Sequence, residues 1–276
     1  MQEILLDRSG RFMVIRFIFL IIVCFLSVFP IYFMFISASN SSTDIVAGRL
    51  FPGMELSNNL KTLFNNSVFT VDFINSIKYA VMGTIISVIV CSIAGYAFEI
   101  YHNKVKDLVM SILLLSIMVP VAATLIPLYT AFGKLSLLSK GIGFVLPFLS
   151  TAFLILLFRQ STRAFPLELV EAARIDGLGE VAIFIKIYVP VMRSTFATGV
   201  IVSFMNIWND YLWALVCLQK KDSQTLPLLL SSMLDAYVID YGQMMLIASF
   251  TTLPLAIIFF ALQKNFTQGI TGAVKG

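Results

Sequence analysis

The residues with most chemistry to offer are Asn206, Trp208, Asn209, Asp210 and Tyr211, in the run FMNIWNDYLWAL. Amide, carboxylate and aromatic groups side by side can hydrogen-bond hydroxyls and stack on the apolar face of a sugar ring. They sit in a strongly apolar stretch, where an acid such as Asp210 is costly unless it faces protein or water. Two readings fit: a solute pathway, or a structural role. In the second, Trp208 and Trp213 join an interfacial aromatic belt, Trp213 more so, and Asp210 caps packing between helices. Bond-making chemistry is not indicated. No G-x-x-x-x-G-K-[ST] occurs (Gly133-Lys134 lacks the first glycine and the following Ser or Thr), nor H-E-x-x-H, nor G-x-S-x-G. His102 has no second histidine or cysteine pair beside it, and Cys24, Cys91 and Cys217 are scattered through apolar runs. That pattern predicts neither a metal site nor a disulfide. The chain is expected not to be an enzyme, so any work it does draws on a partner or an ion gradient.

What positions these residues is a set of membrane helices. Of 276 residues, 59% are hydrophobic and 12% charged, with mean hydropathy +0.93; soluble domains are about a quarter charged. At about 20 residues per crossing, spans are predicted near 14–36, 73–100, 107–132, 142–158, 191–218 and 242–262. Residues 1–13 form a short N-terminal segment and 263–276 a tail. The first apolar run is longer than a leader's core, which favours a retained anchor, although Ser37-Ala38-Ser39 would permit cleavage. In the second span Gly83, Ser87, Cys91 and Gly95 recur every four residues, a stripe that lets another helix come close. Pro120 and Pro127 interrupt the third span, either as a kink near a pathway or as a plain structural bend.

Orientation follows from the basic residues, which cytoplasmic loops retain. With the N-terminus inside, Arg8, Arg11, Arg16, Lys104, Lys106, Arg159, Arg163, Arg174, Lys186, Arg193, Lys264 and Lys275 fall on the inner side. Arg49, Lys61, Lys134, Lys140, Lys220 and Lys221 fall outside. Both termini and the polar loop 159–190 are thus expected in the cytoplasm. The net charge of +4 is small, and no nucleic-acid surface is indicated.

Within that loop, residues 166–190 (PLELVEAARIDGLGEVAIFIKIYVP) form the long polar interruption of the chain's second half. Pro166 suits the first position of a helix over Leu167–Ile175, and Gly177 suits a left-handed end to it. A second helix is predicted over Glu180–Tyr188, its apolar face formed by Val181, Phe184, Ile185 and Tyr188, with Pro190 stopping it. Two short helices joined by a glycine turn make a rigid knob for a partner to grip.

The knob also carries a specific resemblance. Glu171-Ala172-Ala173, Asp176-Gly177, Phe184, Ile187 and Pro190 stand at the spacing of the EAA loop of permease subunits of binding-protein-dependent ABC importers. With Gly95-Tyr96-Ala97-Phe98, the WNDYLW run and the GAVKG tail, nearly the whole chain resembles carbohydrate permeases of the maltose-transporter type, in particular the second permease subunit. Departures are minor: Leu178 stands where alanine is frequent, and Val181-Ala182 replace a frequent aromatic.

The resemblance implies an all-α polytopic membrane protein with the type I ABC importer permease fold, located in a bacterial cytoplasmic membrane. Its expected partners are a homologous second permease, two ATPase subunits, an extracellular sugar-binding protein and membrane lipid. ATP and Mg would be held by the ATPase, and no cofactor by this chain. The substrate implied is a sugar, with an oligosaccharide favoured; a non-sugar solute such as a glycerol phosphate is an alternative. In such relatives the sister permease often makes more of the sugar contacts. A secondary transporter remains the competing class, but no internal repeat is visible, and Glu99 and Asp107 at span ends are the only plausible embedded acids besides Asp210.

Overall fold

The computed structural model describes the backbone of residues 2–65, 67–235 and 237–274, and side chains of 13–65, 67–235 and 237–263. Among these, every regular element is helical. Three helical stretches, Met13–Ser37, Ser67–Ile100 and Tyr241–Gln263, are long and apolar enough to cross a membrane unbroken. Three further helix pairs reach span length only together, bent at short breaks by 104°, 43° and 85°.

The chain divides into two compact units, the first comprising residues 1–66 and 232–252. Helix α1 (Gln2–Ser37) is followed by the short helices α2 (Ser42–Val46) and α3 (Leu56–Asn65). The loop that reads as merely polar is therefore folded, and its asparagines are why. Asn59 donates from Nδ2 to the carbonyls of Ala38 (3.0 Å) and Asn40 (3.2 Å). Gln243 donates in turn to the Asn59 carbonyl at 2.9 Å, and Asn40 ties Ile36 to Phe51 through their carbonyls. Side chains here do for buried carbonyls what water does in an open loop. Ser41 caps α2, donating to the Asp44 carboxylate and accepting from its backbone N–H, and this bond holds the Asp44 carboxyl below its usual range.

The second unit, residues 67–231 and 253–276, is built on α4 (Ser67–Ile100), which starts well before position 73. Helices α5 (Lys104–Ile117) and α6 (Val121–Lys134) form the 104° pair. The break falls at Pro120, which is extended (φ −60°, ψ 133°), since its ring lacks an N–H and disfavours helix before it. Pro127 stays inside α6. Helix α7 (Gly141–Val145), a 3-10 turn at Leu146–Phe148 and α8 (Ala152–Thr162) make the 43° pair. Then come α9 (Leu167–Ile175), α10 (Glu180–Ile183), a π turn at Phe184–Tyr188, α11 (Val189–Val191), α12 (Arg193–Trp208), α13 (Leu212–Cys217), α14 (Leu226–Leu234) and α15 (Tyr241–Val274).

Three expectations change. Pro190 does not stop its helix but lies inside α11; the widened π turn precedes it, and the 85° bend comes at Met192. The fifth span is broken again at Asn209–Tyr211 rather than continuing to Leu218. Beyond Gln263 the backbone stays helical to Val274; residues 275 and 276, at the end of GAVKG, lie outside the described residues.

The small-residue stripe packs as its spacing implies. A methyl on Gly95 would sit 2.5 Å from Cβ of Phe158 and 2.8 Å from the Arg159 nitrogen, and one on Gly83 2.6 Å from Cδ1 of Ile207. Helices α8 and α12 thus lie directly on α4, and Val88, Cys91, Met110, Leu154, Ile155 and Phe158 fill the contact. Trp213 is no belt residue. It is 3% exposed, its indole N–H donates to the Phe144 carbonyl at 3.1 Å, and its ring meets Phe132 edge-on.

Candidate functional site

The knob is built as two short helices with a fixed underside and an open top. Pro166 stands one residue before α9, in an extended conformation, rather than within it. Gly177 has φ +80°, and nothing lies within 4 Å of where a methyl would project. Its need for glycine is therefore conformational and not steric. Glu171, Ala172, Asp176, Gly177 and Pro190 are exposed, Phe184 and Ile187 are half-buried, and Ala173 is buried.

The underside is aromatic. Tyr96, Phe165, Val170, Ala173, Ile183, Tyr188 and Met192 form one buried cluster, with Phe184 and Ile187 packed on its edge. Tyr188 is the hub: its ring lies 4.7 Å from Tyr96, 5.2 Å from Phe184 and 5.4 Å from Phe165. Each such pair adds about 0.5–1.5 kcal/mol beyond area burial. Tyr188 and Thr162 share a hydroxyl–hydroxyl bond at 2.7 Å, and Thr162 also donates to the Phe158 carbonyl at 2.7 Å. Because Thr162 has one proton and gives it to that carbonyl, Tyr188 is the donor between them.

A charged network braces the same end. Arg159, 4% exposed, donates from Nε to Glu99 (3.0 Å) and from Nη2 to Asp107 (2.5 Å), tying the end of α4 and the start of α5 to α8. His102 Nε2 lies 2.9 Å from Asp107, and Arg163 Nε 3.4 Å from Glu99. On the knob's surface Arg174 donates to Glu180 at 2.8 Å, and that bond, with a second to Tyr101, raises the Arg174 guanidinium above its ordinary value. Burial, with a hydrogen bond to Glu180 second, pushes the Tyr101 phenol up.

The WNDYLW residues are not all brought to one surface. Trp208 is 1% exposed and stacks on Phe204, so its ring belongs to the interior. Asp210 accepts from the Ala214 N–H at 2.9 Å, capping α13. Tyr211 shares a hydroxyl bond with Ser231 at 3.0 Å. Asn206 and Asn209 are exposed, Asn209 donating to the Met205 carbonyl. Among the described residues no group of three His, Cys, Asp or Glu could hold a metal ion, and the three cysteines are free thiols.

Sequence reasoning missed the partners more than the site. It saw Glu99 and Asp107 at span ends without the buried Arg159 between them, and saw Tyr188 as one apolar position without its bond to Thr162. A polar residue in each apolar run was the available signal; the pairing needs three dimensions.

Comparison with known proteins agrees with this geometry. The family described as "Binding-protein-dependent transport system inner membrane component" matches residues 92–272. The chain is 42% identical over 262 residues to the lactose transport system permease protein LacG of Rhizobium radiobacter, covering 95% of this chain and 96% of that one. It is 31% identical over 281 residues to the arabinooligosaccharides transport system permease protein AraQ of Bacillus subtilis (strain 168), covering 99% and 100%. Identity to the sn-glycerol-3-phosphate transport system permease protein UgpE of Yersinia pestis is 28% over 268 residues, covering 94% and 95%. Its fold is that of a chain in the solved structure of a bacterial ABC transporter involved in the import of the acidic polysaccharide alginate, with TM-score 0.84, 24% identity and coverage of 94% and 98%. A multi-helix chain built around this loop, matched by the family along about two-thirds of its length, belongs to the binding-protein-dependent transport system inner membrane components.

Proposed function

We propose that this chain is a permease subunit of an ATP-driven ABC importer for a sugar, with an oligosaccharide favoured. It pairs with a homologous permease, two ATPase subunits that bind ATP and Mg, and an extracellular sugar-binding protein. Both termini and loop 159–190 face the cytoplasm. There the exposed row Glu171, Ala172, Asp176 and Gly177 docks on the ATPase, and closure of the ATPase dimer is passed through the aromatic underside to α4, α8 and α12. Alternating access results, with Asn206 and Asn209 the accessible members of the pathway candidates.

The observation that carries this reading is the knob itself: an exposed polar row on two short helices whose undersides are locked to the membrane helices by Tyr188. The sugar class is supported by the 42% identity to a lactose permease, against 28% to a glycerol-phosphate permease. An ion-driven carrier is disfavoured by the match to binding-protein-dependent transport components; of the acids named for it, Glu99 and Asp107 are paired with Arg159 and Asp210 caps α13.

Everted and right-side-out membrane vesicles carrying the assembled system test it. Uptake of labelled lactose or arabino-oligosaccharide should need internal ATP and the binding protein, and should survive a protonophore. Uptake that collapses with the protonophore while ATP stays high would overturn the proposal.

A further inference from the structure

A groove of about 820 Å³ runs along the flank of α4 and α12, within the usual size of a ligand site. Its walls are Ile85, Ile89 and Ile93 of α4 with Val200 and Phe204 of α12. A sugar would find almost nothing to bond there. Two lining residues nonetheless carry hydroxyls that are buried without a hydrogen-bond partner, Thr84 toward one end and Tyr96 toward the other. A buried unpaired hydroxyl costs about 1–3 kcal/mol, so an acceptor carried by a ligand is favoured there.

The Tyr96 end opens at Tyr101 and Glu180. Lys106 Nζ lies 5.2 Å and the Arg174 guanidinium 5.9 Å from the centre of the Tyr101 ring. Since Glu180 pairs with Arg174, Lys106 leaves that mouth net positive. From Tyr96 back to Val81 the helix rises about 22 Å at 1.5 Å per residue. One leaflet of the hydrocarbon core is about 15 Å deep. An apolar trough longer than one leaflet is deep, with an orphan donor towards one end and a basic mouth beyond, matches one class of molecule.

We propose that this groove holds an acyl chain of an anionic phospholipid, with an ester carbonyl accepting from Tyr96 and the phosphate beside Lys106 and Arg174. The lipid seats against the knob's own underside, so it stabilises the arrangement in which Tyr96 packs on Tyr188.

The test uses the full chain with whatever subunits accompany it, reconstituted in vesicles of equal parts phosphatidylglycerol and phosphatidylcholine, re-extracted in mild detergent and analysed by native mass spectrometry. Phosphatidylglycerol should be retained in about fivefold preference, the effect of one basic contact near the headgroup. Ile93→Trp, which fills the groove from its exposed side, should remove the retained lipid. Lys106→Gln should keep lipid bound but erase the preference. Equal retention of both lipids by the unaltered chain, or retention unchanged in Ile93→Trp, would overturn the proposal. So would efficient cross-linking of Ile93→Cys to an accompanying polypeptide, which would mean that protein covers the groove.

Discussion

The hydroxyls of Thr162 and Tyr188 lie 2.7 Å apart and fully buried, joining the last turn of α8 to the π turn below the knob. Tyr188 is also the ring on which Tyr96, Phe165 and Phe184 meet, in the same buried cluster that takes Val170 and Ala173 of α9.

The bond's direction makes the two ways of breaking it unequal. Thr162→Val strands the Tyr188 proton in an apolar setting and should cost about 1–3 kcal/mol. Tyr188→Phe leaves Thr162 still bonded to the Phe158 carbonyl and should cost about 1 kcal/mol or less. Thermal denaturation of the purified variants in detergent would rank them, and the reverse order would refute the assigned donor.

Gly177 separates backbone strain from crowding, since its φ is +80° in open space. Asparagine tolerates that region, whereas a β-branched residue is penalised by about 1–2 kcal/mol. Gly177→Asn should keep transport, and Gly177→Val should insert normally yet uncouple ATP hydrolysis from uptake. Glu171→Lys, exposed and free of packing duties, should uncouple without loss of stability. Normal coupling in both Val and Lys variants would remove the force-bearing role from this loop.

At Gly95 the neighbours are a Cβ and a backbone nitrogen, neither able to swing aside. Gly95→Ala should therefore force α4 and α8 apart and cost about 1–3 kcal/mol. The same change at the exposed Gly179, with nothing within 4 Å, should not. Circular-dichroism melts of the two variants check the contrast.

Arg159 is buried between two carboxylates, and Arg159→Met leaves Glu99 without its closest partner. Breaking such a pair typically costs about 3–5 kcal/mol. Here Asp107 is half-exposed, so the low end is expected, read as reduced yield and melting temperature.

Asp210 caps α13 through the Ala214 N–H. Asp210→Ala should lower stability by about 1 kcal/mol, while Asp210→Asn should retain much of the cap and leave the KM for sugar unchanged. A large KM shift in Asp210→Asn would restore the residue to the solute pathway.

Much of this architecture was legible because membrane helices announce themselves by composition and the knob by its spacing. The Gly83–Gly95 stripe and the left-handed Gly177 were readable for the same reason: each follows from one residue type at one position. Breaks were harder. Pro120 and Pro190 look alike in sequence, yet one ends a helix and the other rides within α11, because the π turn ahead of Pro190 absorbs its misfit. Trp213 read as an interfacial aromatic, and Trp208 as either a pathway or a belt residue, because nothing in a linear string tells which side of a helix its neighbours will cover. Arg159 was counted for orientation when its actual setting is a buried brace. Pairings between distant residues are settled by packing, which local pattern does not encode.

The π turn at Phe184–Tyr188 has a bearing on how this loop can evolve. Such a turn amounts to one residue more than an α-helix needs. Deleting one of its five residues would let the segment relax to an ordinary helix while the flanking stretches keep nearly their present phase, because the widened turn already absorbs the extra residue. Tyr188 and the exposed Glu171 row would then still face their present surroundings, whereas a residue added to or lost from a regular helical stretch turns everything before it by roughly 100° about the axis. Lineages should therefore vary in letter count at this turn more readily than along the helices on either side of it.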